Sequence, residues 1–148
     1  MKRIAFDLDE TLGVPLIQDN DISGFQVRPG CLELLERLRD RFALCLWSVS
    51  GRRYLDKVLS FGLARWFAET CAWDELPGPW KDVRRIGAHL LVDDSPHHRE
   101  AAARHGLADR YVVVPVYGSP EDVADPLGWV WLVEQVTAGL GLARRGDV

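Results

Sequence analysis

Two hydrophobic periods alternate along the chain. Arg3-Ile4-Ala5-Phe6 is a short, mostly apolar run that stops at acids, the pattern of a buried strand in a parallel sheet. Pro29-Gly30 opens a stretch with Leu32, Leu34, Leu35, Leu38 and Phe42 at helical spacing. Phe42 to Trp47 is a second apolar strand with Ser48 at its tip. A second helix spans Arg52 to Leu63, packs Tyr54, Leu55, Val58, Leu59 and Leu63, and is broken near its end by Gly62. Beyond it the pattern predicts a short strand over Glu69 to Ala72, a turn at Pro77-Gly78-Pro79 and a helical turn from Lys81 to Ile86. Leu90-Leu91-Val92 is a third core strand. A helix from His97 to His105 leads through Gly106 to a strand at Tyr111 to Val114. A last helix runs from about Leu127 to Leu142, with Trp129, Leu132, Val133, Val136 and Leu140 as its inner stripe, and Arg144 to Val148 reads as a frayed end. Gly13 to Arg28 reads as a loop with a small hairpin joining Leu16-Ile17 to Phe25-Gln26-Val27.

Strands alternating with helices imply an α/β fold, a doubly wound and mostly parallel sheet with helices on both faces. A chain of 148 residues fits one domain, residues 1–148. The net charge of −4 offers no global basic field for nucleic acid or an anionic membrane. Three widely spaced cysteines, Cys31, Cys45 and Cys71, sit among apolar residues without metal-ligand spacing. They read as buried and reduced, in a cytoplasmic setting. The Met-Lys-Arg start runs straight into a strand, unlike a signal peptide, and no apolar run is long enough to span a bilayer.

Polar residues stand at the carboxyl ends of three strands: Asp7 and Asp9, then Ser48, then Asp93 and Asp94. Side chains two apart on a strand point the same way, so Asp7 and Asp9 emerge together where open α/β sheets bind ligands. Crowded carboxylates repel each other unless a cation or a shared proton relieves them. As reagents, one of the pair can attack phosphorus, and the other can protonate the leaving oxygen and later take a proton from water. Mg²⁺ on Asp7 with Asp93 and Asp94 would offset the charge between nucleophile and phosphate. Ser48 and Lys81 can hold the non-bridging oxygens. Asp9 must be protonated while Asp7 is ionised, so their environments must push the two pKa values apart.

The runs Asp7-Leu-Asp-Glu-Thr-Leu12, Trp47-Ser-Val-Ser50, Lys81-Asp82 and Val92-Asp-Asp-Ser-Pro96 together resemble the four motifs of the haloacid dehalogenase superfamily. The branch most similar is that of the phosphatases acting on the carboxy-terminal domain of RNA polymerase II and their small relatives. Tyr54 and Asp56 after Ser48, and Arg28-Pro29-Gly30 before the first helix, match that branch as well. The resemblance implies Asp7 as nucleophile and Asp9 as acid and base, Asp9 also giving its main-chain carbonyl to Mg²⁺. It implies phosphoryl binding by Ser48 and Lys81, with Thr11, Val49 and Ser50 completing the substrate-binding set. Asp94 would be a direct metal ligand, with Asp93 either a ligand or one step behind it. The 16 residues between Leu12 and Pro29, and the 32 between Ser48 and Lys81, leave no room for a cap domain. An uncapped site admits a phosphorylated peptide or protein, an oligonucleotide end or a small molecule.

Several residues also have plain structural readings. Ser48 is a possible cap for the helix after it. Arg52 and Arg53 read as a solvated helix face rather than a substrate clamp, and His97 and His98 as surface residues. Trp47, Trp66 and Trp129 read as core, whereas Trp80 is placed beside the pocket. Two other functions compete: a receiver domain that holds phosphate on an aspartate, and a catalytically silent binding scaffold. Receivers carry their adjacent acids on the first strand; here that pair comes late.

Overall fold

The computed structural model describes the backbone of residues 1–146 and side chains up to residue 140. Five parallel strands form one sheet: β1 (Arg3–Phe6), β4 (Ala43–Trp47), β5 (Glu69–Cys71), β6 (Leu90–Asp93) and β7 (Tyr111–Val113), in the order β5-β4-β1-β6-β7. The first strand is central and later strands are added on both sides of it, the doubly wound arrangement the alternating pattern implies. Between β1 and the first helix stands an antiparallel hairpin, β2 (Gly13–Gln18) and β3 (Asp21–Val27), bulged between Leu16 and Ile17. It is longer than the hairpin expected from the sequence.

The strands' period of two sorts the core into two layers. Ile4, Phe6, Leu44, Leu46, Leu90 and Val92 face one way, onto α1 (Cys31–Arg39), α2 (Arg52–Leu59) and α5 (Gly128–Gly146). Ala5, Cys45, Trp47, Leu91 and Tyr111 face the other, onto Val83, Ala88 and Ala102, the last from α3 (His97–Ala103). Each large aliphatic or aromatic side chain removed from water here contributes about 1.5–3 kcal/mol. Asp7 and Asp93 follow Ala5 and Leu91 at the same parity, so they emerge on this second, thinner face.

Helix ends depart from the periodic reading in explicable ways. The first helix starts after Gly30, whose φ of 83° is left-handed and whose added Cβ would lie 2.8 Å from Val130 Cγ2. The second helix stops at Leu59, and Gly62 at φ 113° turns the chain away. Lys81 lies outside the helical turn, which covers only Val83–Ile86 and is capped by the Asp82 carboxylate accepting from the Arg84 N–H. A short helix not anticipated from the pattern, α4 (Pro120–Ala124), is capped by Ser119. In α5, Val130, Val133 and Thr137 are buried beside Trp129, whereas Leu132 turns outward. The expected stripe holds at Trp129, Val133, Val136 and Leu140, and Leu132 is its one exception. It continues to Gly146; of the tail read as frayed, Asp147 and Val148 lie outside the described residues. Among the described residues, no helix is long and apolar enough to cross a membrane.

Candidate active site

The carboxyl ends of β1 and β6 and the segment before Val83 meet at one point. Lys81 is fully buried, and its ammonium donates to Asp7 Oδ1 at 2.8 Å and to Asp93 Oδ2 at 2.9 Å. Burial alone would push the ammonium down, but the two carboxylates outweigh it and hold the Lys81 pKa above its ordinary value. The backbone of Lys81 is fixed on both sides. Its N–H donates to His98 Nδ1 (2.9 Å), and its carbonyl accepts from the Tyr111 hydroxyl (2.7 Å). With no exposed surface, this lysine is not an ordinary surface residue beside a turn.

Thr11 ties the motif strands together. Its hydroxyl lies 2.9 Å from Asp7 Oδ2 and 2.8 Å from Asp94 Oδ1, and it accepts from the Asp94 N–H at 3.0 Å. A hydroxyl has one proton, so it serves one carboxylate at a time. Thr11 is fully buried, and its hydroxyl holds the two acid-bearing segments together. Carboxylate oxygens of Asp7, Asp93 and Asp94 all lie within 4.8 Å of one another. Burial pushes the Asp94 carboxyl up to about 7, and its contact with Asp7 adds to that.

Asp9 faces a different environment. It is half-buried and accepts from the Tyr54 hydroxyl at 2.5 Å. Burial raises its pKa, the Tyr54 hydrogen bond partly offsets this, and the Asp7 charge adds to the rise. The next residue, Glu10, adopts φ 66°, an uncommon left-handed conformation for a residue with a Cβ. Its N–H donates to the Gly13 carbonyl and its carbonyl accepts from Tyr117, which holds the turn that aims the acids.

Ser48 is buried at the tip of β4, two residues beyond Leu46, which pairs with Phe6. It does not cap α2, where Gly51 takes that position. The Ser48 hydroxyl accepts from the Ser50 N–H at 3.0 Å, which leaves its own proton available to a ligand oxygen. The same bond engages the Ser50 amide, which in this tight turn serves Ser48. Val49, next along the chain, is exposed.

Other expectations also change. His98 is buried and not a surface residue; burial and the nearby Lys81 charge depress its pKa to about 4. Its partner is a main-chain amide, which no side-chain spacing could reveal. Trp80 stacks on His105 at 5.6 Å between ring centroids and packs against the second core layer. Arg52 donates to Asp56, Thr70 and Glu75, fastening α2 to β5. Arg28 is buried, pairs with Asp122 at 2.8 Å and donates to the Thr11 carbonyl, stacking on Trp129. Tyr54 matched the motif spacing, but its contact with Asp9 depends on how α2 leans over the strand tips.

The comparisons with known proteins agree with this geometry. Residues 2–108 match the model of the NLI interacting factor-like phosphatase family. Among curated proteins, none matches the chain by sequence. Among solved structures, a Thermotoga maritima protein assigned as a β-phosphoglucomutase aligns over 92% of this chain and 100% of its own, with a TM-score of 0.63 and 15% identity. Fcp1, an RNA polymerase II CTD phosphatase, aligns over 78% of this chain and 42% of its own (TM-score 0.60, 13% identity). A Geobacter sulfurreducens hydrolase of the haloacid dehalogenase superfamily, subfamily IA, aligns over 84% of this chain and 98% of its own (TM-score 0.54, 14% identity). At these identities the structures speak for the fold, and the family match carries the activity. With Asp7 and Asp93 meeting at one buried lysine and the family model matching the greater part of the chain, the chain belongs to the NLI interacting factor-like phosphatase family, and it is a phosphoric monoester hydrolase.

Proposed function

We propose that the protein is a Mg²⁺-dependent phosphatase that works through an aspartyl-phosphate on Asp7. The observation that carries this reading is the Lys81 ammonium clamped between Asp7 and Asp93, with Asp94 beside them. Lys81 fixes the Asp7 rotamer through Oδ1 and neutralises charge as phosphate approaches, and Oδ2 is released for in-line attack when the Thr11 proton turns to Asp94. Attack forms the Asp7 Oδ–P bond as the ester P–O bond breaks. The leaving oxygen takes the proton of Asp9, whose raised pKa suits an acid. Asp9 then takes a proton from the water that attacks the phospho-aspartate, releasing inorganic phosphate and restoring Asp7. Ser48 and Lys81 orient the non-bridging oxygens, and Val49 borders the entrance.

The donor set suits a hard divalent cation: three close carboxylates, all oxygen, against a single buried ammonium. Asp7, Asp93 and Asp94, with the Asp9 main-chain carbonyl, would hold Mg²⁺, which would supply charge neutralisation at the transferring phosphoryl group. The substrate is a phosphorylated molecule entering an uncapped site, and the free thiols suit a reducing compartment such as the cytoplasm. Hydrolysis of p-nitrophenyl phosphate with Mg²⁺ tests this function. Chelation should abolish turnover, and Asp7→Asn should lower it by about 10³-fold or more. Full activity in Asp7→Asn would refute the nucleophile. A phosphoenzyme lasting minutes would instead favour the receiver-like alternative.

A further inference from the structure

A trough of about 810 Å³ is lined by Asp94, by the end of β7 and the segment after it, and by the start of α5. Its floor is apolar, with Val114, Val116 and Leu132, and Pro115 and Pro120 line it as well. A second hollow, sharing Asp125, Gly128 and Leu132 with it, extends the trough past Leu127 to Trp131. Trp131 is 69% exposed, and Leu127 and Val123 nearby are also open to solvent. Such a concentration of exposed apolar side chains around a groove marks a contact surface. Trp is the residue type most often found as an anchor in one.

Charge selects the occupant. Among the described residues every charged side chain lining the trough is acidic: Asp94, Glu121 and Asp125. An oligonucleotide flank would bring phosphates onto these carboxylates, and a small metabolite would leave the trough unused. A polypeptide with arginine or lysine and aliphatic residues would match both its charge and its floor. Because Asp94 lines both the acid cluster and the trough, a chain whose phosphorylated side chain enters the site lies beside the trough.

We propose that this trough is a substrate-docking site that selects phosphoprotein segments whose flanks carry basic and aliphatic residues. The proposal rests on the phosphatase reading of the same site. Contact is made through Glu121 and Asp125 with the basic side chains and through Leu132 and Trp131 with the aliphatic ones.

The test uses two phosphoserine peptides of about 12 residues, which span about 40 Å when extended. One carries arginine and leucine on both flanks, the other glutamate and serine. Expected is a kcat/KM ratio of about tenfold or more for the basic peptide, expressed mainly in KM. The double variant Glu121→Lys/Trp131→Ala alters two exposed side chains outside the chemistry. It should erase that ratio and leave p-nitrophenyl phosphate hydrolysis unchanged. Equal kcat/KM for the two peptides, or a preference that survives the double variant, overturns the proposal. So does a wild-type dimer that Trp131→Ala makes monomeric while peptide preference is unchanged, because the trough would then hold a second copy. Should p-nitrophenyl phosphate not be hydrolysed at all, the phosphatase reading fails separately. Fluorescence anisotropy of labelled peptides on the Asp7→Asn chain then decides the docking site. A basic-over-acidic ranking that the double variant removes supports it, and no ranking refutes it.

Discussion

Asp7 and Asp9 leave the same strand two residues apart, yet the protein gives them opposite surroundings. Asp7 is enclosed, its oxygens taken by the buried Lys81 and by Thr11, which are themselves held by partners on β6, β7 and α3. Asp9 is half-buried, with one short bond to a tyrosine on a helix that borders the entrance. The inner half of the site is therefore over-determined and the outer half adjustable. A nucleophile must meet phosphorus within a few tenths of an ångström, which rewards a rigid surround. An acid that serves leaving groups of many shapes needs room, and the uncapped rim leaves that room.

The largest effect expected from breaking this contrast is at Lys81. Lys81→Ala leaves Asp7 and Asp93 buried without their counter-charge, which should cost about 3–5 kcal/mol of stability by chemical denaturation. Turnover should also fall by about 10²-fold or more, since an organiser of transition-state charge is lost. A variant as stable as the parent would show that the clamp is not what holds the inner half together.

A smaller effect lies in the titration of His98, which belongs to the inner half. Its folded pKa of about 4 lies below the ordinary 6.5, so between these values the unfolded chain binds a proton that the folded chain refuses. Stability is thus fully present above about pH 6.5 and falls as pH drops, levelling below about pH 4. The total from this group is up to about 3 kcal/mol. Denaturant midpoints from pH 7 to pH 4 measure the slope, and His98→Gln should flatten it. An unchanged slope in that variant would show that His98 does not titrate in this way.

In the outer half, Tyr54→Phe removes the hydroxyl that favours the ionised form of Asp9. The Asp9 pKa should rise further, so the alkaline limb of kcat should move to higher pH, with a stability loss of only about 1 kcal/mol. A limb that moves to lower pH, or does not move, would separate Asp9 from the proton transfer.

The smallest expected effect concerns thiols. Burial pushes Cys31 up to about 12, so its thiolate is scarce at pH 8, whereas Cys71 is half-exposed. Iodoacetamide should label Cys71 in the native protein and reach Cys31 only on unfolding. Native labelling of Cys31 would mean that the first helix opens readily.

Most of the fold was legible because its strands are short apolar runs ending in acids or a hydroxyl, and its first two helices carry a clear 3.6-residue stripe. The last helix was legible as an element and in most of its inner stripe, with Leu132 the exception. Leu132 fits a helical stripe as well as Val130 does, and only packing against Gly30 and the first helix chooses between them. The short helix after Ser119 was missed because one turn carries too little periodicity to register.

The order and spacing of Asp7, Asp9, Ser48, Lys81, Asp93 and Asp94 were determined by the sequence itself, because a period of two decides which side chains leave a strand tip together. Tertiary structure alone decided that Thr11 and the Ser50 amide are spent on internal bonds, and that His98 and Tyr111 hold the main chain of Lys81. It alone placed Tyr54 against Asp9 and opened an acidic trough beside Asp94. These contacts join residues from separate elements, many of them through main-chain groups that every residue carries. No pattern of side-chain types along the chain can report which of those groups will meet.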